Sequence, residues 1–262
     1  MFHYGKCLCV AGLPIIGSYL SWINKYAKHP EKYDIQIRYK KLRKLLNTIA
    51  KGFSVEFHVE GKENLPKNTN YCLISNHISN FDPLALICVL EDPSTFVAKV
   101  ELEHKPLVGK IIKAINGLFL DRNDLKQNLR IMMKVEDDLK NQKDKNWIIF
   151  PEGTRNKDSL RNMREFHHGT FRPAVKSGVP IVPVAIYGSF RVLKRSPQFK
   201  KYPVFIKFLE PIYPEQYKAM TTQEIAVLTQ ERIEKVVSFE LRKLDHLEMS
   251  KCDKRYRFNE II

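Results

Sequence analysis

Short apolar runs alternate with helical patterns along most of the chain, and this alternation constrains the fold more than any other feature. The runs are short and rich in β-branched and aromatic residues, so they predict buried strands. They lie at 54–60, 71–75, 95–98, 118–120, 147–150, 181–186 and 204–209. Apolar residues three and four apart predict helices at 84–90, 107–115, 125–140, 170–177 and 222–244. The chain is therefore predicted to form an α/β fold, with a central mixed, largely parallel sheet of about seven strands flanked by helices.

The size and charge of the chain limit its domain organisation and the partners it can bind. Its 262 residues can bury the core of one large domain, and we expect a helical segment at 1–50, the domain at 51–250 and a tail at 251–262. The 44 basic and 29 acidic residues give a net charge of +15, which predicts a polyanionic partner such as nucleic acid or an anionic membrane surface. No helix-turn-helix, zinc-finger or aromatic RNA-binding signature is present, so no nucleic-acid partner is predicted. Five unpatterned cysteines favour a reducing compartment.

The N-terminal region carries a marginal membrane segment. Residues 7–24 contain 18 consecutive uncharged residues, near the lower limit of about 17 for a spanning helix, and Gly12, Pro14 and Gly17 interrupt them. No small-x-small cleavage site follows, so a signal peptide is not predicted. The segment either spans the bilayer or lies in its interface.

An amphipathic basic helix is predicted next. Its apolar residues recur at spacings of four and three, with Lys and Arg on the other faces; they are Ile35, Tyr39, Leu42, Leu46 and Ile49. Two interpretations remain open. The stripe packs on the domain, or the helix lies on a membrane surface, where each cation near anionic lipid contributes about 1 kcal/mol. Both hold if the helix lies between the domain and the lipid.

The segment 71–83, YCLISNHISNFDP, places a histidine and a carboxylate five residues apart directly after a predicted strand. Asp82 followed by proline indicates the start of a helix, so His77 lies in a strand-to-helix turn. Such turns are where α/β sheets usually bind ligands, and Asp82 can orient the imidazole. Alternatively, Asp82 is only a helix N-cap and His77 a polar loop residue. No metal site is predicted, because the chain has no Cys-x-x-Cys or His-x-x-x-His pair.

Three further segments stand beside predicted strands. In 116–122, NGLFLDR, Arg122 is left at a strand end, and in 179–186, VPIVPVAI, two prolines predict an edge or irregular strand that forms the floor of a pocket. In 150–155, FPEGTR, the proline and glycine predict a tight loop with main-chain N–H groups available to an anion. Each segment alone has a structural explanation. Together they predict one crevice with a histidine suited to proton abstraction and arginines suited to phosphate.

These motifs resemble those of the glycerolipid acyltransferase family. Residues 76–82, NHISNFD, resemble its NHxxxxD signature, and residues 150–155 resemble its FPEGTR motif. Four motifs occur in the family's order, and the chain is similar to 1-acyl-sn-glycerol-3-phosphate acyltransferases from about residue 59 to residue 210. One departure is Asn116, where the family usually has glycine.

The resemblance implies acyl transfer from a thioester, carried on acyl carrier protein or coenzyme A, to the sn-2 hydroxyl of lysophosphatidic acid. It implies His77 as the base and Asp82 as its orienting group, as in other histidine–carboxylate pairs. No cofactor is implied, because the thioester is already activated. The residues that the resemblance assigns to the substrate are Lys99, Arg122, Glu152, Gly153, Thr154 and Arg155.

Several alternatives accompany this expectation. Ser79 would serve as a covalent nucleophile in a rival route through an acyl-serine. The acceptor would instead be glycerol-3-phosphate or another lysophospholipid. A non-catalytic basic protein of the membrane surface would account for the N-terminal region, but it has no need for His77, Asp82 and Arg155. The expected location is the cytoplasmic face of a bacterial cell membrane.

Overall fold

A computed structural model describes residues 2–121, 123–141, 144–156, 163–193 and 201–252. A seven-stranded sheet runs through the molecule in the order β1-β7-β6-β2-β5-β3-β4. Its strands are β1 (Val55–Glu60), β2 (Cys72–Ser75), β3 (Ser94–Lys99), β4 (Leu118–Leu120), β5 (Asn146–Ile149), β6 (Ile181–Tyr187) and β7 (Tyr202–Phe208). Every predicted apolar run forms one of these strands.

Strand direction confirms the predicted mixed, largely parallel sheet. Strands β6, β2, β5, β3 and β4 are mutually parallel, whereas β7 is antiparallel to β6 and parallel to β1. The carboxyl ends of the five parallel strands therefore lie along one edge of the sheet. Loops that follow β2, β3, β4 and β5 meet there, which is the geometry that brings distant motifs together.

Helices cover both faces of the sheet. They are α1 (Phe2–Ser18), α2 (Asn24–Lys28), α3 (Ile35–Gly52), α4 (Asp82–Val89), α5 (Val108–Ala114), α6 (Leu125–Asn141), α7 (Arg172–Ser177), α8 (Pro214–Tyr217), α9 (Thr222–Val236) and α10 (Arg242–Cys252). One hydrophobic cluster joins α3, α4 and α5 to the sheet, and a second joins α6, α7 and α9 to its other face. Successive strand residues alternate between the clusters, as Leu73 and Ile74 do.

The position of β6 corrects one prediction. This strand lies between β7 and β2 and is buried along its whole length, so the expectation of an edge or irregular strand was wrong. Pro183 is tolerated because its carbonyl, and hence its missing N–H, faces β7, where the antiparallel ladder ends at the pair Val184 and Phe208. The Leu209 N–H still donates to the Pro183 carbonyl (2.9 Å). Proline therefore removes only a terminal hydrogen bond.

The N-terminal helices pack on the first cluster. Helix α1 continues through a π-helical turn, Tyr19–Ile23, into α2. The predicted stripe of α3 is buried at Ile35, Tyr39, Leu42 and Leu46, which confirms that it packs on the domain. Within the described residues, no helix combines the length and the apolar character that crossing a bilayer requires.

Candidate active site

His77 and Asp82 come together in the loop that joins β2 to α4. The His77 Nδ1 atom lies 2.8 Å from Asp82 Oδ2, and the imidazole remains 16% exposed, whereas the carboxylate is fully buried. The same Oδ2 atom accepts hydrogen bonds from the main-chain N–H groups of Ile78 and Ser79, both at 2.8 Å. The loop is thus folded around the carboxylate, which fixes the spacing of five residues between the two side chains.

Asp82 does not act as an N-cap. It is the first residue of α4. Its Oδ2 atom accepts from main-chain N–H groups that precede the helix and its Oδ1 atom accepts from a distant serine hydroxyl, so neither oxygen caps the first turn. The alternative that Asp82 only caps a helix was therefore wrong. An Asp-Pro helix start gives the same sequence pattern in both cases, which is why the sequence alone left both open.

A residue that sequence reasoning missed completes the carboxylate's environment. Ser189 follows β6, is fully buried, and donates its hydroxyl to Asp82 Oδ1 at 2.5 Å. Gly188 takes a left-handed conformation (φ 86°) that turns the chain toward the carboxylate, and a Cβ there would lie 2.4 Å from the Pro203 carbonyl oxygen. The buried pair of Arg191 and Asp245 fixes the far end of this turn to α10.

The hydrogen bonds of Asp82 decide which imidazole nitrogen is available. An ionised carboxylate only accepts, so His77 Nδ1 carries the proton that lies toward Asp82. The Nε2 atom then has its lone pair free, and it makes no hydrogen bond to any described residue. This is the tautomer that a general base requires.

The loop after β5 holds the histidine from the other side. The His77 N–H donates to Glu152 Oε1, and the Asn156 N–H donates to the His77 carbonyl, both at 2.7 Å. The Phe150 ring packs against the imidazole, with 4.4 Å between the ring centroids. Because β2 and β5 are adjacent parallel strands, these contacts join two predicted motifs into one site.

Glu152 lies inside this loop rather than on its open side. Its side chain is buried, and its two oxygens accept from the main-chain N–H groups of His77 (2.7 Å) and Arg164 (3.2 Å). Burial raises the pKa of Glu152, while both hydrogen bonds act in the opposite direction. The geometry suits a carboxylate that holds the loop, and its predicted contact with substrate stays a prediction.

The remaining residues of the loop are partly open. Gly153 adopts φ 63°, a left-handed conformation that favours glycine, and its N–H donates to the Phe150 carbonyl (3.0 Å). Thr154 and Arg155 are half-buried, and their main-chain N–H groups take no hydrogen-bond partner among the described residues. The loop is tight, as predicted, and its binding of an anion stays a prediction.

Lys99 and Arg122 are the two other predicted cations. Lys99 ends β3, is exposed, and pairs with Glu101. Strand β5 separates β3 from β2, so Lys99 lies about 10 Å along the same sheet edge from the His77 loop. Arg122 lies outside the described residues, two positions beyond the end of β4. Asn116 takes the left-handed conformation (φ 58°) in place of the family's glycine, and Arg38 donates to its side chain.

Asn76 was also missed as a structural residue. Its side-chain amide donates to the Ile186 carbonyl (2.9 Å) and accepts from the Ile186 N–H (2.8 Å). It therefore ties the end of β2 to the end of β6 and extends their ladder into the site. The Asn of the NHxxxxD motif is explained by this pairing.

Ser79 is poorly placed for covalent catalysis. It is buried, and its hydroxyl oxygen accepts from the Phe81 N–H (3.1 Å), which closes the loop before α4. It makes no hydrogen bond to the imidazole. Among the described residues, no three His, Cys, Asp or Glu side chains cluster in a way that would hold a metal ion.

Comparison with known proteins shows which family the chain belongs to. A family model described as Acyltransferase matches residues 56–187, about half of the chain and the part that contains both loops. The chain belongs to the acyltransferase family. This acyltransferase is 32% identical over 227 residues to a probable 1-acyl-sn-glycerol-3-phosphate acyltransferase of Mycoplasma pneumoniae, covering 82% of this chain and 83% of that protein.

Two further relatives are similar to this acyltransferase. The human 1-acyl-sn-glycerol-3-phosphate acyltransferase alpha is 31% identical over 176 residues, which cover 66% of this chain and 61% of that protein. The crystal structure of a 1-acyl-sn-glycerophosphate acyltransferase from Thermotoga maritima matches with a TM-score of 0.71 at 26% identity, covering 92% of this chain and 98% of that one. The acyltransferase is thus an enzyme with the α/β fold of that structure.

Proposed function

We propose that this acyltransferase moves a fatty acyl group from a thioester to the sn-2 hydroxyl of lysophosphatidic acid and so forms phosphatidic acid. The observation that carries the proposal is the imidazole of His77, which Asp82 orients at the same sheet edge as the half-buried loop of Thr154 and Arg155. The names of the relatives support the choice of acceptor.

The chemistry follows from the free Nε2 atom of His77. That nitrogen takes the hydroxyl proton while the acceptor oxygen attacks the thioester carbonyl, so a C–O bond forms and the C–S bond breaks. The imidazolium returns its proton to the departing thiolate. Asp82 stabilises the transient cation and keeps the ring in place. The thiol belongs to acyl carrier protein or coenzyme A, and no cofactor takes part.

The acceptor's phosphate defines the second half of the site. We assign it to Arg155 and the loop residues Gly153 and Thr154, together with Lys99 at the end of β3 and with Arg122. Arginine suits this role because its planar fork binds phosphate in a bidentate manner. Glu152 contributes by holding the loop against the main chain of His77.

The direct route is preferred to an acyl-serine route. The acceptor hydroxyl can occupy the nucleophile's place beside His77, whereas the Ser79 hydroxyl is buried in the loop. An acyl-enzyme that accumulates when thioester is supplied without acceptor would contradict this preference.

The N-terminal segment, residues 1–50, is proposed to hold the enzyme at an anionic membrane surface on the cytoplasmic face. Large apolar side chains of α1 and the turn after it are exposed; they are Val10, Leu13, Ile16 and Leu20. Residues 51–250 would carry catalysis. Of the proposed tail, 253–262 lie outside the described residues.

The test is acyl transfer to lysophosphatidic acid in mixed micelles, with phosphatidic acid as the product scored and glycerol-3-phosphate assayed in parallel. His77→Ala should reduce the rate by at least about a hundredfold, because general bases contribute that much or more. His104→Ala, an exposed histidine outside the site, is the matched control. Equal activity of wild type and His77→Ala would contradict the mechanism. Activity with glycerol-3-phosphate and none with lysophosphatidic acid would show that glycerol-3-phosphate is the acceptor.

A further inference from the structure

His167 lies against the open loop of the site, in a segment that none of the predicted motifs includes. Its main-chain N–H donates to the Pro151 carbonyl (3.0 Å), so the chain here runs directly beside residues 150–156. The contact joins a position far along the chain to the loop that follows β5. The bonded residue, Pro151, directly precedes Glu152 and Gly153, so the His167 backbone lies beside the start of this loop.

The neighbours of His167 are held on the opposite side by α9. The Phe166 N–H donates to Gln230 Oε1 (2.9 Å), and His168 Nδ1 lies 3.3 Å from Thr222 Oγ1. Both partners belong to α9, so the segment is anchored before and after His167. The side chain of His167 is left to face the loop.

The imidazole of His167 lies over Gly153. If Gly153 carried a Cβ, that atom would lie 3.2 Å from His167 Cδ2 and 3.5 Å from its Nε2. The first distance is tighter than ordinary van der Waals contact. The absent side chain therefore leaves room for the ring as well as permitting the left-handed turn.

The ring is available to a ligand. The residue is exposed, and neither ring nitrogen has a hydrogen-bond partner among the described residues. An imidazole presents an N–H donor in both of its protonation states. The loop's Thr154 and Arg155 N–H groups also lack partners in the part of the chain that the structure describes, so a donor beside them suits an anion.

We propose that His167 binds the phosphate of the acceptor, as a side-chain donor beside the loop that follows β5. The assignment rests on the proposed function, because it presumes a phosphate-bearing acceptor in this loop. In this role His167 increases the affinity for the acceptor and takes no part in proton transfer.

Steady-state kinetics in mixed micelles test the assignment, with the KM for lysophosphatidic acid and kcat measured separately. His167→Ala should raise KM about tenfold and change kcat by less than about twofold, since a hydrogen bond to a charged group is lost in the bound state. His167→Lys should keep KM within about threefold of the wild type, because a lysine also supplies an N–H donor to the phosphate. His167→Phe, which fills the space over Gly153 without a donor, should not restore it.

His168→Ala is the matched control, because its imidazole contacts α9 and not the loop. Its KM should equal that of the wild type, and thermal unfolding of every variant checks that the fold is kept. An unchanged KM in His167→Ala would overturn the assignment, as would full rescue by phenylalanine, which would reduce the role to packing. Inactivity of the wild type toward lysophosphatidic acid would overturn the proposed function itself, and the assignment with it.

Discussion

At the scale of single residues, the site is organised around the carboxylate of Asp82. Four donors meet it: the His77 ring, the N–H groups of Ile78 and Ser79, and the Ser189 hydroxyl. Three of them come from one short loop and the fourth comes from the end of β6. A carboxylate with this many donors is held in one direction, which is what the proposed partner of a general base has to provide.

Ser189→Ala is expected to lower kcat by about tenfold and to leave the KM for acceptor unchanged. The variant removes one hydrogen bond to a charged group, worth about 1.5–3 kcal/mol, while the other three donors remain. The measurement is kcat and KM for lysophosphatidic acid, together with the free energy of unfolding.

Ser94→Ala is the control for this prediction. Ser94 is equally buried, and its hydroxyl donates to the Asp92 carbonyl at the start of β3, away from the site. It should lose stability to a similar degree and keep its kcat. A Ser189→Ala enzyme with wild-type kcat would show that the hydroxyl serves only packing.

The pairing of His77 with Asp82 and the tight turn at Gly153 were predictable because their signals are local. His77 and Asp82 lie five residues apart, directly after an apolar run, and Gly153 lies in a tight turn. Ser189 was not predictable, because 107 residues separate it from Asp82 and no spacing connects them. The contact between His167 and Gly153 was not predictable either, since only the folded chain shows it.

At the scale of secondary-structure elements, two N-terminal helices use their apolar residues differently. The stripe of α3 is buried against the sheet, while α1 and the turn after it expose Leu13 (80%), Ile16 (57%) and Leu20 (72%). The exposed residues recur at spacings of three and four, so they share one side of the helix. A surface of this kind is available to lipid, and that of α3 is not.

Replacing Leu13, Ile16 and Leu20 with serine together is expected to reduce binding to anionic vesicles by at least about tenfold. Each replaced side chain removes apolar area worth about 1.5–3 kcal/mol on full burial. Sedimentation with vesicles measures the binding, and activity in micelles should be little changed. Serine replacements at Val227, Phe239 and Leu247, which are also exposed, are the matched control. Equal loss in both variants would argue against a specific role of α1.

The elements themselves were well predicted, and their arrangement was less so. All seven strands were recognisable because each is short and rich in β-branched, aromatic or other apolar residues, although β1 and β4 are only half-buried. Their order and directions depend on contacts between distant segments, which periodicity does not report. The misjudged strand β6 shows this: whether Pro183 is tolerated depends on where the β7 ladder ends.

At the scale of the whole molecule, the charge of +15 is the property that acts over distance. We expect binding to anionic vesicles to weaken progressively as salt is raised from about 0.05 to about 0.5 M, because screening shortens the reach of surface charges. Binding to neutral vesicles, which depends on apolar contact, should change little over the same range. Salt-independent binding to anionic vesicles would mean that charge contributes little to membrane association.

The hydroxyl that Ser189 supplies to Asp82 also bears on when the enzyme becomes active during its synthesis. Chains emerge from the ribosome N-terminus first, and early domains begin to fold as they appear. Here the histidine and its carboxylate emerge early, but the fourth donor follows 107 residues later, and Asp245, which anchors its turn, comes later still. A nascent or truncated chain can therefore display the whole NHxxxxD motif before its carboxylate has all four donors, and we expect such a chain to fall short of full activity until the C-terminal helix has docked.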